Sequence, residues 1–375
     1  MDVKSSVLER YSEGAKAQQA DLCCPVDYNT ELLKILPKEI LERDYGCGDP
    51  SRYVRKGDTV LDLGSGGGKI CYIAAQLVGD SGHVIGLDMN HDMLNLAQKY
   101  KAEMADKIGS DRVSFYYGYI QDLALDLNAA DTYLKKHPIK NKDDLEKFDA
   151  WQLKQKKTQP LIADNSIDLI VSNCVLNLVD DTQKLQLINE IFRVLKPGGR
   201  VAISDIISDE FVPDEMKADP ELWSGCISGV FQEKEFIQKF IDAGFYSVSY
   251  DKWDNVPWKI INGIEFRSVT LTAIKAEQIV ALDEGHTVMY KGPYASVTDD
   301  KGYVFDRGDR MAVSNIHFNA LRNSALATDF VFIAPQKNAC CAPAWSDTLF
   351  TVRKIKDSKI GSGNDSGGAS SSCCG

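Results

Sequence analysis

Residues 60–69 read VLDLGSGGGK. A β-rich apolar run, Val60 to Leu63 with Asp62 inside it, passes directly into glycine at 64, 66, 67 and 68. KICYIAAQLVG (69–79) follows at helical spacing and stops at Gly79. A strand that turns through glycine into a helix is half of a βαβ unit, and the neighbouring sequence supplies the rest. HVIGLD (83–88) reads as a second strand, MLNLAQKYKAEMADKIG (93–109) as a helix and VSFYYGYI (113–120) as a third strand. IDLIVSN (167–173), LQLINEIFRVLK (185–196) and GRVAISDI (199–206) repeat the pattern, the helix being halted by Pro197, Gly198 and Gly199. This alternation specifies an α/β fold with a doubly wound, mostly parallel sheet. Residues 121–165 form a charged insertion, 207–265 read as less regular, SVTLTAIKA (268–276) as a late strand and 277–353 as a smaller, β-leaning unit.

Composition narrows the function. The 375 residues carry 44% hydrophobic side chains and a net charge of −11. That charge, with no basic stripe to offset it, argues against nucleic acid and against an anionic membrane surface. No apolar run approaches the roughly 18 residues that span a bilayer, and MDVKSSVLERYSEGAKAQQ at the start lacks a signal-peptide core. A cytoplasmic protein is expected, whose ten cysteines are reduced thiols suited to chemistry or soft-metal binding.

Glycines after a first strand let backbone approach a ligand and open a helix N-terminus toward it. A dinucleotide fingerprint counted from Gly64 would place its last glycine where Lys69 stands, and a phosphate loop would need Ser or Thr where Ile70 stands. The arrangement D-x-G-x-G-x-G resembles instead the loop of class I S-adenosylmethionine (SAM)-dependent methyltransferases. That resemblance implies a seven-stranded Rossmann-like sheet and a cofactor site at Asp62, Gly64, Ser65, Gly66 and Gly68. Asp88, with Met89 after it, would take both ribose hydroxyls. Ile120 and Gln121 would frame the adenine, and Asn173 would join them. LKPGG before the fifth strand is similar to the family's late signature.

Four single cysteines stand in or beside these segments: Cys47 between two glycines, Cys71 on the helix after the loop, Cys174 beyond the fourth strand, and Cys226 after the fifth. Each taken alone reads as a small packing residue. In this fold, however, ligands bind outside the carboxyl ends of the strands, where at least three of the four would converge. The five histidines are scattered and no C-x-x-C pair is present, so the thiols suit a soft, thiophilic centre better than zinc.

RDYGCGDP, VLDLGSGGGKICY, GHVIGLDMN, GYIQDL, SNCVLNLV, RVLKPGGRVAISD and LWSGCISG together resemble the arsenite methyltransferase family, and VMYKGPYASVTDDKGYVFDRGDRMAV (288–313) resembles its C-terminal unit. The family loop usually has Ser where Gly67 stands and Arg-Asp where Lys69-Ile70 stand. The resemblance implies methylation of thiol-bound trivalent arsenic by SAM, in arsenic detoxification. It implies Cys174 and Cys226 as arsenic ligands, Cys47 and Cys71 as thiols of redox turnover with Cys47 also a candidate third ligand, and a thiol reductant, thioredoxin or glutathione. Arsenite and methylarsenite would arrive as thiol adducts, and a monomer is expected. The organisation expected is an N-terminal arm (1–49) contributing to the substrate site, a SAM-binding core (50–206) and an arsenic-binding region with the last strands (207–276). A small C-terminal domain (277–355) and a flexible Gly/Ser tail ending in Cys-Cys (356–375) would follow. The adjacent pairs Cys23-Cys24, Cys340-Cys341 and Cys373-Cys374 are incidental thiols or arsenic scavengers; neighbouring Cα atoms, about 3.8 Å apart, are too close for an ordinary disulfide. Two rivals stand beside this reading: a methyltransferase of a small organic acceptor, such as a quinone or sterol precursor, and a thiol-rich metalloid-binding protein without catalysis.

Overall fold

The strand Ile167–Asn173 is buried along its length apart from half-buried Asp168. Both of its faces are covered, which is why it reads as an unbroken apolar run. Leu169 and Val171 pack with the helix Lys69–Val78 on one side, while Ile170 packs with Leu187, Ile188 and Ile191 on the other. The computed structural model describes residues 3–16, 26, 28–43, 45–276, 280–334 and 342–358. These fall into two units, Met1–Lys275 and Ala276–Gly375. The pairs Cys23-Cys24, Cys340-Cys341 and Cys373-Cys374 lie outside the described residues.

In the first unit the strands are β1 (Thr59–Leu63), β2 (His83–Asp88), β3 (Val113–Tyr117), β4 (Ile167–Asn173), β5 (Leu195–Ser208), β6 (Phe231–Gln232), β7 (Phe245–Trp253), β8 (Lys259–Ile261) and β9 (Ile264–Lys275). They form one sheet of order β3-β2-β1-β4-β5-β9-β7, with β6 beside β5 and β8 beside β9. Strands β1 to β5 run parallel; β9 is antiparallel to both β5 and β7. The order reverses between β1 and β4, so a crevice opens beyond their carboxyl ends. The register fixes what meets there. Leu63 lies opposite Ser172, whose hydroxyl donates to the Leu63 carbonyl at 3.0 Å. The glycine loop and Cys174 therefore leave the sheet side by side.

Several boundaries differ from the expectation. The helix expected over 93–109 is two, His91–Lys99 and Lys101–Ile108, divided at Tyr100. The third strand stops at Tyr117, the residue paired with Asp88 at the end of β2. Leu195 and Lys196 belong to β5 and not to the preceding helix, since Pro197 bars Lys196 from helical geometry. Residues 196–199 bulge out of the ladder, which resumes at Arg200. The charged insertion holds two helices, Leu127–Lys136 and Lys142–Thr158. The stretch read as less regular contains the helix Glu233–Asp242 and edge strand β7, whose register shifts twice and so hides its alternation.

The second unit has a three-stranded antiparallel sheet (Arg310–Ala312, Thr287–Tyr290, Phe330–Ile333), a two-stranded ribbon (Ser296–Thr298, Val304–Asp306) and the helix Asn315–Arg322. Val288, Tyr290, Phe305, Phe318 and Phe330 form its core. Among the described residues no helix is long and apolar enough to cross a membrane.

Candidate active site

The cofactor side of the crevice is built around the glycine loop and the carboxyl end of β2. Gly64 and Ser65 donate their amides to the Leu87 carbonyl at 2.8 and 3.0 Å, which folds the loop onto the end of β2. Gly64 has φ 70°, and a Cβ there would strike the Val175 side chain at 2.4 Å. Gly66 has φ 51°, and nothing lies within 4 Å of where its Cβ would be. Its amide donates to Asp88 Oδ2 at 2.8 Å, and the Asn90 amide donates to Oδ1 at 2.8 Å. Burial holds the Asp88 carboxyl above its ordinary pKa.

These residues wall a cavity of about 480 Å³ together with Asp62, Met89, Ile120, Gln121, Asn173 and Cys174. The Ser65 hydroxyl is buried on this wall with no hydrogen-bond partner among the described residues. An unmet buried hydroxyl, a glycine that leaves open space and a carboxylate at the end of β2 together fit a polar nucleoside ligand such as SAM.

The other side is made of sulfur. Cys47 and Cys174 are joined by a disulfide across 127 positions of sequence, with Cα atoms 5.9 Å apart. Cys226 is a buried thiol whose Sγ lies 3.5 Å from the Cys174 carbonyl and 3.7 Å from the Tyr11 hydroxyl. All three belong to one apolar cluster with Ile206, Met216, Val230 and Phe266. Cys174 (φ 57°) and Cys226 (φ 60°) both sit in the left-handed region, a conformation that costs a side-chain-bearing residue about 1–3 kcal/mol. The turn 46–48 is clamped by Asn173. Its Oδ1 accepts from the Cys47 and Gly48 amides at 2.9 and 3.1 Å, while its Nδ2 donates to the Gly48 carbonyl at 2.8 Å and the Tyr28 hydroxyl at 3.2 Å. Tyr28 and Ser268 donate to the Gly48 and Cys47 carbonyls. With two bonds on each amide atom, Asn173 holds the Cys47 turn as well as lining the cavity.

Comparison with known proteins separates the shared sheet from the particular site. Residues 54–158 and 140–244 match the model of a methyltransferase domain, and 277–361 match a domain of unknown function. The arsenite methyltransferase of Aquipseudomonas alcaligenes is 31% identical over 314 residues, 80% of this chain and 80% of its own. This chain belongs to the arsenite methyltransferase family. The mouse arsenite methyltransferase is 28% identical over 345 residues, 88% of this chain and 81% of its own. Among solved structures, the arsenic(III) SAM methyltransferase CrArsM of Chlamydomonas reinhardtii superposes with a TM-score of 0.54 at 26% identity, covering 86% of this chain and all of that one.

Within this arsenite methyltransferase fold, three of the four singled-out cysteines come together and one does not. Cys71 lies under the sheet, fully buried, with its thiol donating to Asp62 Oδ2 at 3.2 Å. A Cβ on Gly86 would meet its sulfur at 2.8 Å, and burial pushes its pKa well up, the opposite of a reactive thiol. The redox role expected for Cys71 beside Cys47 therefore finds no geometric support; Cys47 is bonded to Cys174 instead. The reason is that the helix Lys69–Val78 is covered on nearly every side: Ile70, Tyr72, Ile73, Ala74 and Ala75 are all buried with Cys71.

Lys69, which departs from the family loop, has its ammonium 3.6 Å from the centre of the Tyr28 ring and thereby ties the cofactor helix to the turn that carries Cys47.

Two groups go beyond the residues that the sequence named. Asp205, near the end of β5, is 1% exposed, and one of its carboxylate oxygens lies within 4.8 Å of both disulfide sulfurs. It accepts from the Leu176 and Ile206 amides and from Asn177 Nδ2, yet burial still raises its pKa to about 7. An acidic residue ending a buried strand is a readable signal. The other is the helix Val3–Lys16, which lines the cavity through Val7, Leu8 and Tyr11. The sequence places this arm at the substrate site but does not single out these three residues.

Proposed function

We propose that this chain transfers the methyl group of SAM to trivalent arsenic held by Cys174 and Cys226, with Cys47 as a third thiol at the same point, and so serves arsenic detoxification. The observation that carries the reading is the clustering of these three cysteines at one point, of which Cys174 lines the glycine-loop cavity, Cys47 is bonded to it and the Cys226 sulfur lies 3.5 Å from its carbonyl. SAM, when bound, supplies an electrophilic methyl group on a positive sulfonium.

The protein's own work begins with capture. Thiolates displace the oxygens of arsenite or the thiols of an adduct and leave arsenic with a lone pair. That lone pair is already a nucleophile, so no general base is required at the arsenic. What remains is to hold it facing the cavity and to keep water out. Ile206, Val230 and Phe266 around the sulfurs serve the second purpose. Asp88, Gly66 and Ser65 would hold the ribose and backbone of the cofactor, and Ile120 and Gln121 the adenine.

The disulfide bears directly on turnover. Cys47 and Cys174 must be reduced before they can bind arsenic, so a thiol reductant of the thioredoxin or glutathione type is part of the cycle. Asp205, facing both sulfurs with a carboxyl that titrates near neutrality, is placed to accept the proton that one of these thiols gives up. The chain is proposed to work as a monomer in the cytoplasm on arsenite and methylarsenite as thiol adducts. The arm 1–49 would close the substrate site and 207–276 would supply Cys226.

The test supplies SAM, a thiol reductant and either arsenite or a panel of quinones, sterols and small acids, and then separates methylated products. Methylated arsenicals formed only with arsenite are expected. Methyl transfer to an organic acceptor, with none to arsenite, would overturn the reading.

A further inference from the structure

We propose that Tyr11 and Arg10, on the N-terminal helix, are positioning residues that couple occupancy of the cofactor cavity to arsenical binding at Cys226. The proposal rests on the reading of Cys226 as an arsenical ligand and adds residues and a property which that reading does not contain.

The helix Val3–Lys16 touches both halves of the site at once. On the cofactor side, Val7 and Leu8 line the cavity beside Asp88, Met89 and Asn90. Asn90, two residues beyond Asp88, donates from Nδ2 to the Leu8 carbonyl at 3.3 Å and to Ser12 Oγ at 3.0 Å. The helix is thereby fastened to the loop that presents the ribose-binding carboxylate.

On the sulfur side, Arg10 Nη1 donates to the Glu221 carbonyl and to Ser224 Oγ, both at 3.1 Å. Ser6 Oγ donates to the Pro220 carbonyl at 3.3 Å. These bonds hold the short helix Pro220–Ser224, which ends two residues before Cys226. Tyr11 completes the arrangement, with its hydroxyl 3.7 Å from Cys226 Sγ while the Cys226 thiol points at the Cys174 carbonyl. Burial and the neighbouring Cys226 and Asp205 keep the Tyr11 hydroxyl protonated at neutral pH, so it can donate to a thiolate sulfur.

One helix face thus carries a cavity wall, an anchor on the Cys226 turn and a donor to the sulfur itself. A ligand that fills the cavity packs against Val7 and Leu8 and fixes the helix. The fixed helix sets the Cys226 turn, and the ordering is then no longer a cost of arsenical binding. Linkage requires the converse as well: an arsenical on Cys226 must tighten cofactor binding by the same factor.

The experiment uses the full chain, reduced beforehand, with S-adenosylhomocysteine as a non-reacting cofactor probe and phenylarsine oxide as a trivalent arsenical. Calorimetry measures each ligand alone and in the presence of the other, for the wild type, Tyr11→Phe and Arg10→Ala. In the wild type each ligand is expected to tighten the other by about 5-fold or more. In both variants the factor is expected to fall to within about 2-fold of unity. In Arg10→Ala, whose side chain is outside the cavity wall, S-adenosylhomocysteine alone binds nearly as before, which shows that this variant folds; Tyr11→Phe is judged by the coupling factor alone. A purely structural role would change individual affinities and leave the coupling factor alone. An uncoupled wild type, or variants that keep the wild-type factor, would overturn the proposal. A wild type that binds S-adenosylhomocysteine but no phenylarsine oxide would instead overturn the reading of Cys226 as a ligand, and the coupling with it.

Discussion

The two halves of the site are built by opposite means. The cofactor half comes from short, contiguous stretches: the glycine loop after β1 and the residues that follow β2 and β3. Its polar groups include the Ser65 hydroxyl and the Asp88 carboxyl, the latter held by the Gly66 and Asn90 amides. The thiol half is assembled from the turn 46–48, the end of β4 and the turn at 226, and its fixing bonds come from side chains on still other segments: Asn173, Tyr28 and Ser268. A loop drawn from contiguous sequence keeps its shape when distant residues change, whereas three sulfurs from remote positions fail to meet when one is moved. On the proposed reading, that contrast separates what many methyltransferases share from what selects the acceptor.

The sharpest break between the halves comes from the sulfurs. Replacing Cys174 or Cys226 by serine is expected to abolish arsenite methylation, because oxygen is a poor ligand for a soft centre. SAM binding, measured by calorimetry, should stay near normal in both variants. Loss of SAM affinity in step with activity would show that the halves are not separable.

Asp205 gives the next largest effect, and it belongs to stability. Its folded pKa, about 7, is raised above the ordinary carboxyl value of 3.8. The folded state therefore holds a proton that the unfolded state gives up, and stability falls as pH rises between those two values. That difference corresponds to about 4 kcal/mol in all, of which about 3 kcal/mol should be lost between roughly pH 5 and pH 8. Urea melts of Asp205→Asn should lack this decline; an unchanged slope would remove Asp205 as its source.

Asp88→Ala tests the cofactor half alone. Loss of charge-assisted hydrogen bonds, about 1.5–3 kcal/mol, should weaken SAM by at least about tenfold. Binding of a trivalent arsenical measured without any cofactor should be nearly unaffected. Cys71→Ala gives the smallest effect on function, since its sulfur faces the helix–sheet interior. Methylation should stay within about threefold of wild type, with a stability cost of about 1–2 kcal/mol from the small cavity. A loss comparable to that of Cys174→Ser would put Cys71 back into turnover.

The sheet and the cofactor half were legible because their signals are local. Period, glycine position and strand-end acid all fall within the loop and the two strands beside it, and residues 59–88 hold most of them. The thiol half was legible only in part. Cys174 and Cys226 could be singled out, but that Cys47 bonds Cys174 depends on how Asn173 holds a turn 126 positions away. Cys71 misled for the converse reason: its neighbours in sequence belong to the cofactor loop, but the helix turns its sulfur inward. Strand β7 escaped notice because two register shifts break its alternation. The N-terminal arm was expected at the substrate site, but which of its residues reach it was not legible, because a mostly polar helix becomes a wall only when Arg10 and Asn90 anchor it on either side.

The left-handed backbone at Cys174 and Cys226 also shapes how the site opens. A turn held in a disfavoured conformation gives back about 1–3 kcal/mol when it relaxes, which on the proposed reading lowers the cost of opening at the two places where arsenic would bind. An arsenical bonded across both sulfurs would act as a clasp between two sprung turns. Amide exchange at 174 and 226 should accordingly be fast in the empty reduced protein and slow once arsenic is bound.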